Sequence, residues 1–215
     1  MDPEVPSPQQ TVEEEREKDA QNLKNEVIDF VKLVVWFLVI FLGLKFFVLE
    51  GYEVQGESME PNLSTNERIL VFKLPHRLHE WGLIGEPFEQ GDVIVFNSPD
   101  VAEKRYVKRV IAVGPETDRG TVEAGTDPHE TVKIEFDRGK VFIDNHILTE
   151  DYLSERNRIS SDHRVSQVGP GEYYVLGDNR SVSKDSRSFN AIESDAIIGR
   201  AVLRFWPPSK ISFIE

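Results

Sequence analysis

The chain has no cysteine, which excludes disulfides, thiolate metal sites and a cysteine nucleophile together. Basic residues are also scarce: 25 Lys+Arg against 38 Asp+Glu leave a formal net charge of -13. Phosphate binding needs a clustered basic face, so nucleic acid is not an expected partner. The five histidines (His76, His79, His129, His146 and His163) read as loop or turn residues, and none falls in a His-Glu-x-x-His pattern. No Gly-x-Ser-x-Gly occurs either. A histidine-based triad or a zinc site is therefore not expected, and neither a metal nor another cofactor is implied. No internal repeat is present.

What is there suffices for one substantial domain with a tail and an anchor. The 215 residues are 39% hydrophobic and include 13 Phe and 3 Trp. Residues 1–26 carry 8 Asp+Glu and 3 Lys+Arg and no aromatic, a composition that reads as a disordered acidic tail. Residues 27–49 are almost all large and apolar. As a helix they reach about 34 Å, enough to cross a bilayer core. Asp29, Lys32 and Lys45 interrupt this segment near its ends, leaving Leu33–Leu44 free of charge. Lysine stems near the ends of a span can reach the interface, and no small-x-small cleavage pattern follows Leu49. A transmembrane helix is the preferred reading, with a buried soluble helix as the alternative. Arg16, Lys18, Lys24 and Lys32 precede or open the span, whereas no Lys or Arg lies between Glu50 and Glu67. That asymmetry predicts a cytoplasmic N-terminus and an extracytoplasmic remainder, residues 50–215.

The remainder reads as short strands: Arg68–Phe72, Asp92–Phe96, Arg105–Val113, Val132–Phe136, Lys140–Ile143, Tyr173–Leu176 and Ile197–Trp206. Asp137-Arg138-Gly139 predicts a hairpin turn. Residues 76–90 and 150–171 read as long loops. The expected fold is mainly β, antiparallel and barrel-like, behind one N-terminal transmembrane helix.

Two residues stand in settings that suggest chemistry. Ser58 lies in Gly56-Glu57-Ser58-Met59-Glu60-Pro61-Asn62-Leu63, nine residues past the span. Most serines in such a turn are merely solvated, and a serine hydroxyl needs a base beside it to act as a nucleophile. Lys108 lies on the apolar run Tyr106-Val107-Lys108-Arg109-Val110-Ile111. If this strand alternates, Tyr106, Lys108 and Val110 share one face and Val107, Arg109 and Ile111 the other. One face must expose its charge, and the pattern does not say which. An inward Lys108 would need its pKa lowered by burial to serve as a base. A third cluster, Gly177 to Arg187, follows an apolar strand; Ser181-x-x-Lys184 within it lacks the companion elements of penicillin-binding enzymes.

In order, these segments resemble the four motifs of bacterial type I signal peptidases, the leader peptidase family of serine/lysine endopeptidases. Ser58-Met59-Glu60-Pro61-Asn62-Leu63 is similar to the family's Ser-Met-x-Pro-Thr-Leu box, with Asn62 in place of Thr. Gly91–Phe96 resembles the second box and Tyr106–Ile111 the lysine box. Gly177-Asp178-Asn179-Arg180 with Ser183, Asp185, Ser186 and Arg187 resembles the last.

The resemblance implies that Ser58 is the nucleophile and neutral Lys108 the general base. It further implies that Ser183 orients the lysine amine and that Asp185 and Arg187 pair to hold their loop. The implied substrates are secretory preproteins with small residues at the first and third positions before the cut, met at the lipid surface of a bacterial inner membrane. Some members carry a hydroxyl residue two positions before the nucleophile to help bind the oxyanion. Here that position is Gly56, so the Ser58 backbone N–H and the Gly56 region are expected to do so. The stretch Val113–Asp118, with the acidic segment beyond it, also departs from the family's glycine-rich pattern. Trp81, Leu83, Ile84, Phe205 and Trp206 are candidates for contact with the bilayer surface. Two other readings stay open: a membrane-anchored β-domain that only binds extended peptides, and a self-cleaving repressor, which would need a basic DNA-binding domain.

Overall fold

A computed structural model describes residues 8–43, 45, 48–84, 87–115, 131–158 and 163–214. His129, residues Glu116–Asp118 with the acidic segment after them, and parts of the expected span (44, 46 and 47) and loops (85–86 and 159–162) lie outside the described residues. The chain divides into two units, residues 1–46 and 47–215.

The first unit is one helix, α1 (Pro8–Gly43). It takes in most of the stretch expected to be a disordered tail. Gln, Glu, Lys, Arg and Ala are strong helix formers even where they cannot bury a core, and Pro is tolerated in a helix's first turn. The large apolar side chains from Val27 to Leu42 are exposed, and Lys32 Nζ pairs with Asp29 Oδ1 at 2.8 Å. Among the described residues no helix is long and apolar enough to cross a membrane. The far end of the expected span differs too, because Leu49 opens a strand.

The second unit holds β1 (Leu49–Glu53), β2 (Arg68–Phe72), α2 (Leu74–Glu80), β3 (Val93–Asn97), β4 (Arg105–Val113), β5 (Val132–Asp137), β6 (Lys140–Ile143) and β7 (His146–Ile147). It continues with β8 (Arg164–Val168), β9 (Glu172–Leu176), α3 (Ser186–Phe189), β10 (Ile192–Glu193), β11 (Ile197–Trp206) and β12 (Ser212–Phe213). The larger sheet is ordered β1-β2-β11-β3-β4-β9-β10, with β12 on β11; the smaller is ordered β7-β6-β5-β8. Every pairing is antiparallel, so the unit is mainly β, as expected.

The β5–β6 hairpin turns through Arg138 (φ 49°) and Gly139 (φ 79°), the left-handed pair that a two-residue hairpin requires. Two elements fall inside stretches read as loops. In α2, His76 and His79 are buried, and His76 stacks on Phe88 with ring centroids 6.1 Å apart. His146, also read as a loop residue, lies in β7. In β8 only Val168 is fully buried while Val165 is exposed, too weak an alternation to read from composition.

Three apolar clusters hold the sheets. The first gathers Val54, Met59, Leu63, Ile69, Val71, Val93, Val95 and Ala201 beneath the Ser58 turn. The second packs Phe88, Ile94, Phe96, Val110, Tyr173 and Val175. The third joins the two sheets through Ile111, Tyr174 and Leu176 of one and Ile134, Phe136, Val141 and Val168 of the other. Each such side chain contributes about 1.5–3 kcal/mol by leaving water. The middle of β4 therefore has apolar packing on both faces, so neither Lys108 nor Arg109 is exposed: each is only 3% accessible, whereas Arg105 at the strand's start faces water. The expectation that one face must present its charge to water fails because each residue has a polar partner of its own, Ser58 for Lys108 and Asp178 for Arg109.

Candidate active site

Beyond β1 the backbone stays bonded to the chain that follows the turn. Val54 N–H donates to the Glu67 carbonyl at 2.8 Å and Asn66 N–H to the Val54 carbonyl at 2.9 Å. Gly56 then adopts φ +92°, and a Cβ there would meet open space. The backbone conformation, not crowding, thus accounts for a glycine at this position. The Thr65 hydroxyl closes this bend, accepting from Gly56 N–H and donating to its carbonyl, each at 3.1 Å. Met59 and Leu63, four residues apart on a helical turn (Leu63 N–H to Met59 carbonyl, 2.9 Å), plug into the first core cluster at 1% exposure. Burying that pair leaves Ser58 facing the other way, half-buried, into a groove of about 730 Å³ lined also by Val54, Ile69, Val95, Tyr106 and Val107.

Lys108 reaches the same groove from β4. Its Nζ lies 2.8 Å from Ser58 Oγ and donates to the Val107 carbonyl at 2.8 Å. Burial is the main reason its pKa falls from 10.5 to about 8; Asp185 and Asp178 act in the opposite direction. At pH 7.4 about one amine in five is then neutral, a large gain over roughly one in a thousand for free lysine. A neutral amine within hydrogen-bond distance of a hydroxyl is what serine activation requires.

The Gly177–Arg187 loop packs against both residues. Asn179 N–H donates to the Ser58 carbonyl at 2.9 Å. Asp185, wholly buried, accepts from Arg187 Nε at 2.8 Å, Arg187 Nη2 at 2.9 Å and Gly177 N–H at 3.0 Å. Arg187 Nη2 also donates to the Arg180 carbonyl at 2.8 Å, drawing the loop closed. Ser183, expected to orient the lysine amine, does not bond to it here. Its Oγ is buried with no hydrogen-bond partner among the described residues, because the lysine amine is directed to Ser58 and Val107 instead.

Two features of this site were not read from the sequence. Arg109, beside Lys108, forms a buried two-pronged pair with Asp178, at 3.0 Å (Nε to Oδ1) and 2.9 Å (Nη2 to Oδ2). Asn62 Nδ2 donates to the same Asp178 Oδ2 at 2.8 Å, so the Ser58 turn, the Lys108 strand and the loop share one carboxylate. The motif strings contain all three residues but carry no sign that they meet. Gly177 is the second feature. A Cβ there would lie 2.2 Å from Ser183 Oγ and 2.4 Å from the Ser58 carbonyl oxygen. Gly177→Ala is expected to displace Ser58 and lower turnover by about 10²-fold, read from initial rates at saturating precursor. A variant as fast as wild type would show that the turn yields freely. Among the described residues no group of His, Asp and Glu converges to hold a metal.

Comparison with known proteins agrees with this geometry. Residues 27–123 and 128–206 match the family model described as signal peptidase, peptidase S26. Signal peptidase IB of Staphylococcus aureus (strain MRSA252) is 32% identical over 208 residues, covering 89% of this chain and 95% of the relative. Signal peptidase I of Bacillus licheniformis is 29% identical over 204 residues, covering 91% and 97% respectively. The match spans both the Ser58 turn and the Lys108 strand. The chain belongs to the signal peptidase family, peptidase S26.

Proposed function

We propose that this chain is a membrane-bound serine endopeptidase that removes N-terminal signal peptides from exported preproteins, with Ser58 as nucleophile and Lys108 as general base. The observation that carries it is the buried lysine amine 2.8 Å from the serine hydroxyl. Ser58 Oγ attacks the scissile carbonyl carbon as its proton passes to Lys108 Nζ. The oxyanion that forms is stabilised by the Ser58 backbone N–H beside the Gly56 bend. Collapse breaks the C–N bond, and the proton on Lys108 leaves with the new N-terminus of the mature protein. Water then attacks the acyl-enzyme as Lys108 accepts its proton; the acyl–Oγ bond breaks, Lys108 passes that proton to Ser58 Oγ, and the signal peptide leaves with its new carboxyl group. Asp185 and Arg187 hold the loop that backs the pair. Ser183 adjoins this site; orienting the amine would require its hydroxyl to turn toward Lys108 during turnover.

The small apolar side chains of the groove, Val54, Val95 and Val107, suit small residues at the first and third positions before the cut. The exposed apolar residues of α1 between Val27 and Leu42 suit a bilayer, and the paired Lys32 and Asp29 reduce the cost of placing charge there. The basic residues before the span support a cytoplasmic N-terminus and an extracytoplasmic catalytic unit at a bacterial inner membrane. Trp81, Leu83, Ile84, Phe205 and Trp206 are all exposed, as residues that rest on a lipid surface must be. A pure peptide-binding module has no need of a lysine held against a serine.

The test is cleavage of a signal-bearing precursor by the full chain in detergent, with the cut mapped by mass spectrometry. Wild type is expected to cut after a small residue, and Ser58→Ala to lose all turnover above background while still folding. Undiminished cleavage by Ser58→Ala, or binding without turnover by wild type, overturns the reading.

A further inference from the structure

The nucleophile turn is poorly supported on its far side. A second cavity of about 1010 Å³ opens there, lined in part by Met59, Asn62, Leu63 and Tyr152. Met59 and Leu63 pack the inner side of the turn at 1% exposure, but open space adds no packing on the outer side, where hydrogen bonds act instead. The Asn62 carbonyl accepts from Arg204 Nη1 at 3.0 Å and the Asn62 amide reaches Asp178; two further bonds involve residues about 90 positions further along the chain. Asn157 Nδ2 donates to the Glu60 carbonyl at 2.7 Å, and the Tyr152 carbonyl accepts from Asn62 Nδ2 at 3.0 Å. These two bonds bracket Pro61, two and four residues past Ser58.

The segment that supplies them is itself anchored to the rest of the site. Glu150, buried, pairs with the buried Arg180 and accepts from Tyr152 Oη at 2.9 Å. The Arg109 guanidinium lies 4.2 Å from the centre of the Tyr152 ring. Through Arg180 and Arg109 the segment touches both the Gly177–Arg187 loop and the base strand.

We infer that Glu150–Asn157 is a positioning strap, which holds Ser58 in register with Lys108 by gripping the Glu60 carbonyl and the Asn62 side chain. It makes no contact with the reacting atoms, and Asn157 is a positioning residue, not a catalytic one. The inference rests on the serine/lysine reading above. Asn157 is 9% exposed, and its amide supplies a donor that an isosteric carboxylate lacks.

The test uses Asn157→Ala and Asn157→Asp in the full chain in detergent, well below the melting temperature of each. Expected is a fall in kcat of about 10-fold or more per folded molecule, with KM changed less than about twofold, since small misplacements of a reacting group act on the chemical step. Amide hydrogen exchange at Leu63, whose N–H closes the turn on Met59, should quicken in both variants while β4 stays protected. A merely structural role would lower the melting temperature and leave kcat per folded molecule unchanged. Unchanged kcat in both variants overturns the strap, and so does unchanged exchange in the turn, which remains measurable if one variant does not fold. Absence of cleavage by wild type would instead overturn the serine/lysine reading, so the two failures are told apart.

Discussion

Lys108→Met is expected to lower turnover by about 10²–10⁴-fold while making the protein more stable at neutral pH. Both effects come from one buried amine. In the proposed mechanism the base is the neutral amine, so wild-type turnover should rise with pH through about 8 and level off above it. The stability effect follows from the same shift. Folded Lys108 loses its proton near pH 8 and the unfolded chain near 10.5. Between those values the unfolded state holds the extra proton, so stability rises with pH. Below pH 8 the burial cost of the charged amine is fully present, about 3 kcal/mol. Methionine escapes it and fills a similar volume. Melting temperatures of the two proteins should therefore differ in favour of the variant below pH 8 and converge as pH approaches 10.5. A flat wild-type pH profile, or a variant that turns over normally, would remove Lys108 from the mechanism. Such a gain on deleting a functional group is expected wherever a site is built from an unfavourable burial.

Asp178→Ala is expected to cost about 3–5 kcal/mol, a fall in melting temperature on the order of 10 °C. The reason is what remains behind. Arg109 is 3% exposed and Asp178 wholly buried, so removing the carboxylate leaves a guanidinium charge in the core between β4 and the loop. The Asn62 amide loses its acceptor on Asp178 as well. Arg109→Met should be similarly costly, because it strands the carboxylate. The paired replacement Arg109→Met with Asp178→Ala should cost less than the sum of the two single changes, since no buried charge is then unpaired. Thermal melts of the four proteins in detergent form the cycle; additive costs would show that the pair is not coupled. Activity should fall in every variant, for Asp178 joins the Ser58 turn to the Lys108 strand.

Much of this arrangement is written locally. The Gly56-Glu57-Ser58 bend, the apolar β4 run and the Arg138-Gly139 hairpin each depend on a few neighbouring residues whose conformational preferences carry over into the fold. The strands at 68–72, 105–113, 140–143 and 197–206 follow from β-branched and aromatic composition. Elsewhere composition misled. The Glu- and Gln-rich start of α1 has few apolar residues yet favours a helix, and α2 hides two buried histidines in a stretch that looks like a loop.

What the sequence by itself determined is the inventory: a serine in a tight bend, a lysine on a strand, and a polar loop after another strand, in the order of the signal peptidase motifs. It could not decide which of Lys108 and Arg109 is buried, because a buried polar residue and a solvated one have the same letter. The tertiary structure buries both and gives them different partners, Ser58 for one and Asp178 for the other. Those contacts span 50 and 69 residues of chain, and the grip of Asn157 on Glu60 spans 97. Side-chain polarity is local, but the desolvation that lowers the lysine pKa and the hydrogen bonds that hold the serine exist only once distant segments have packed together.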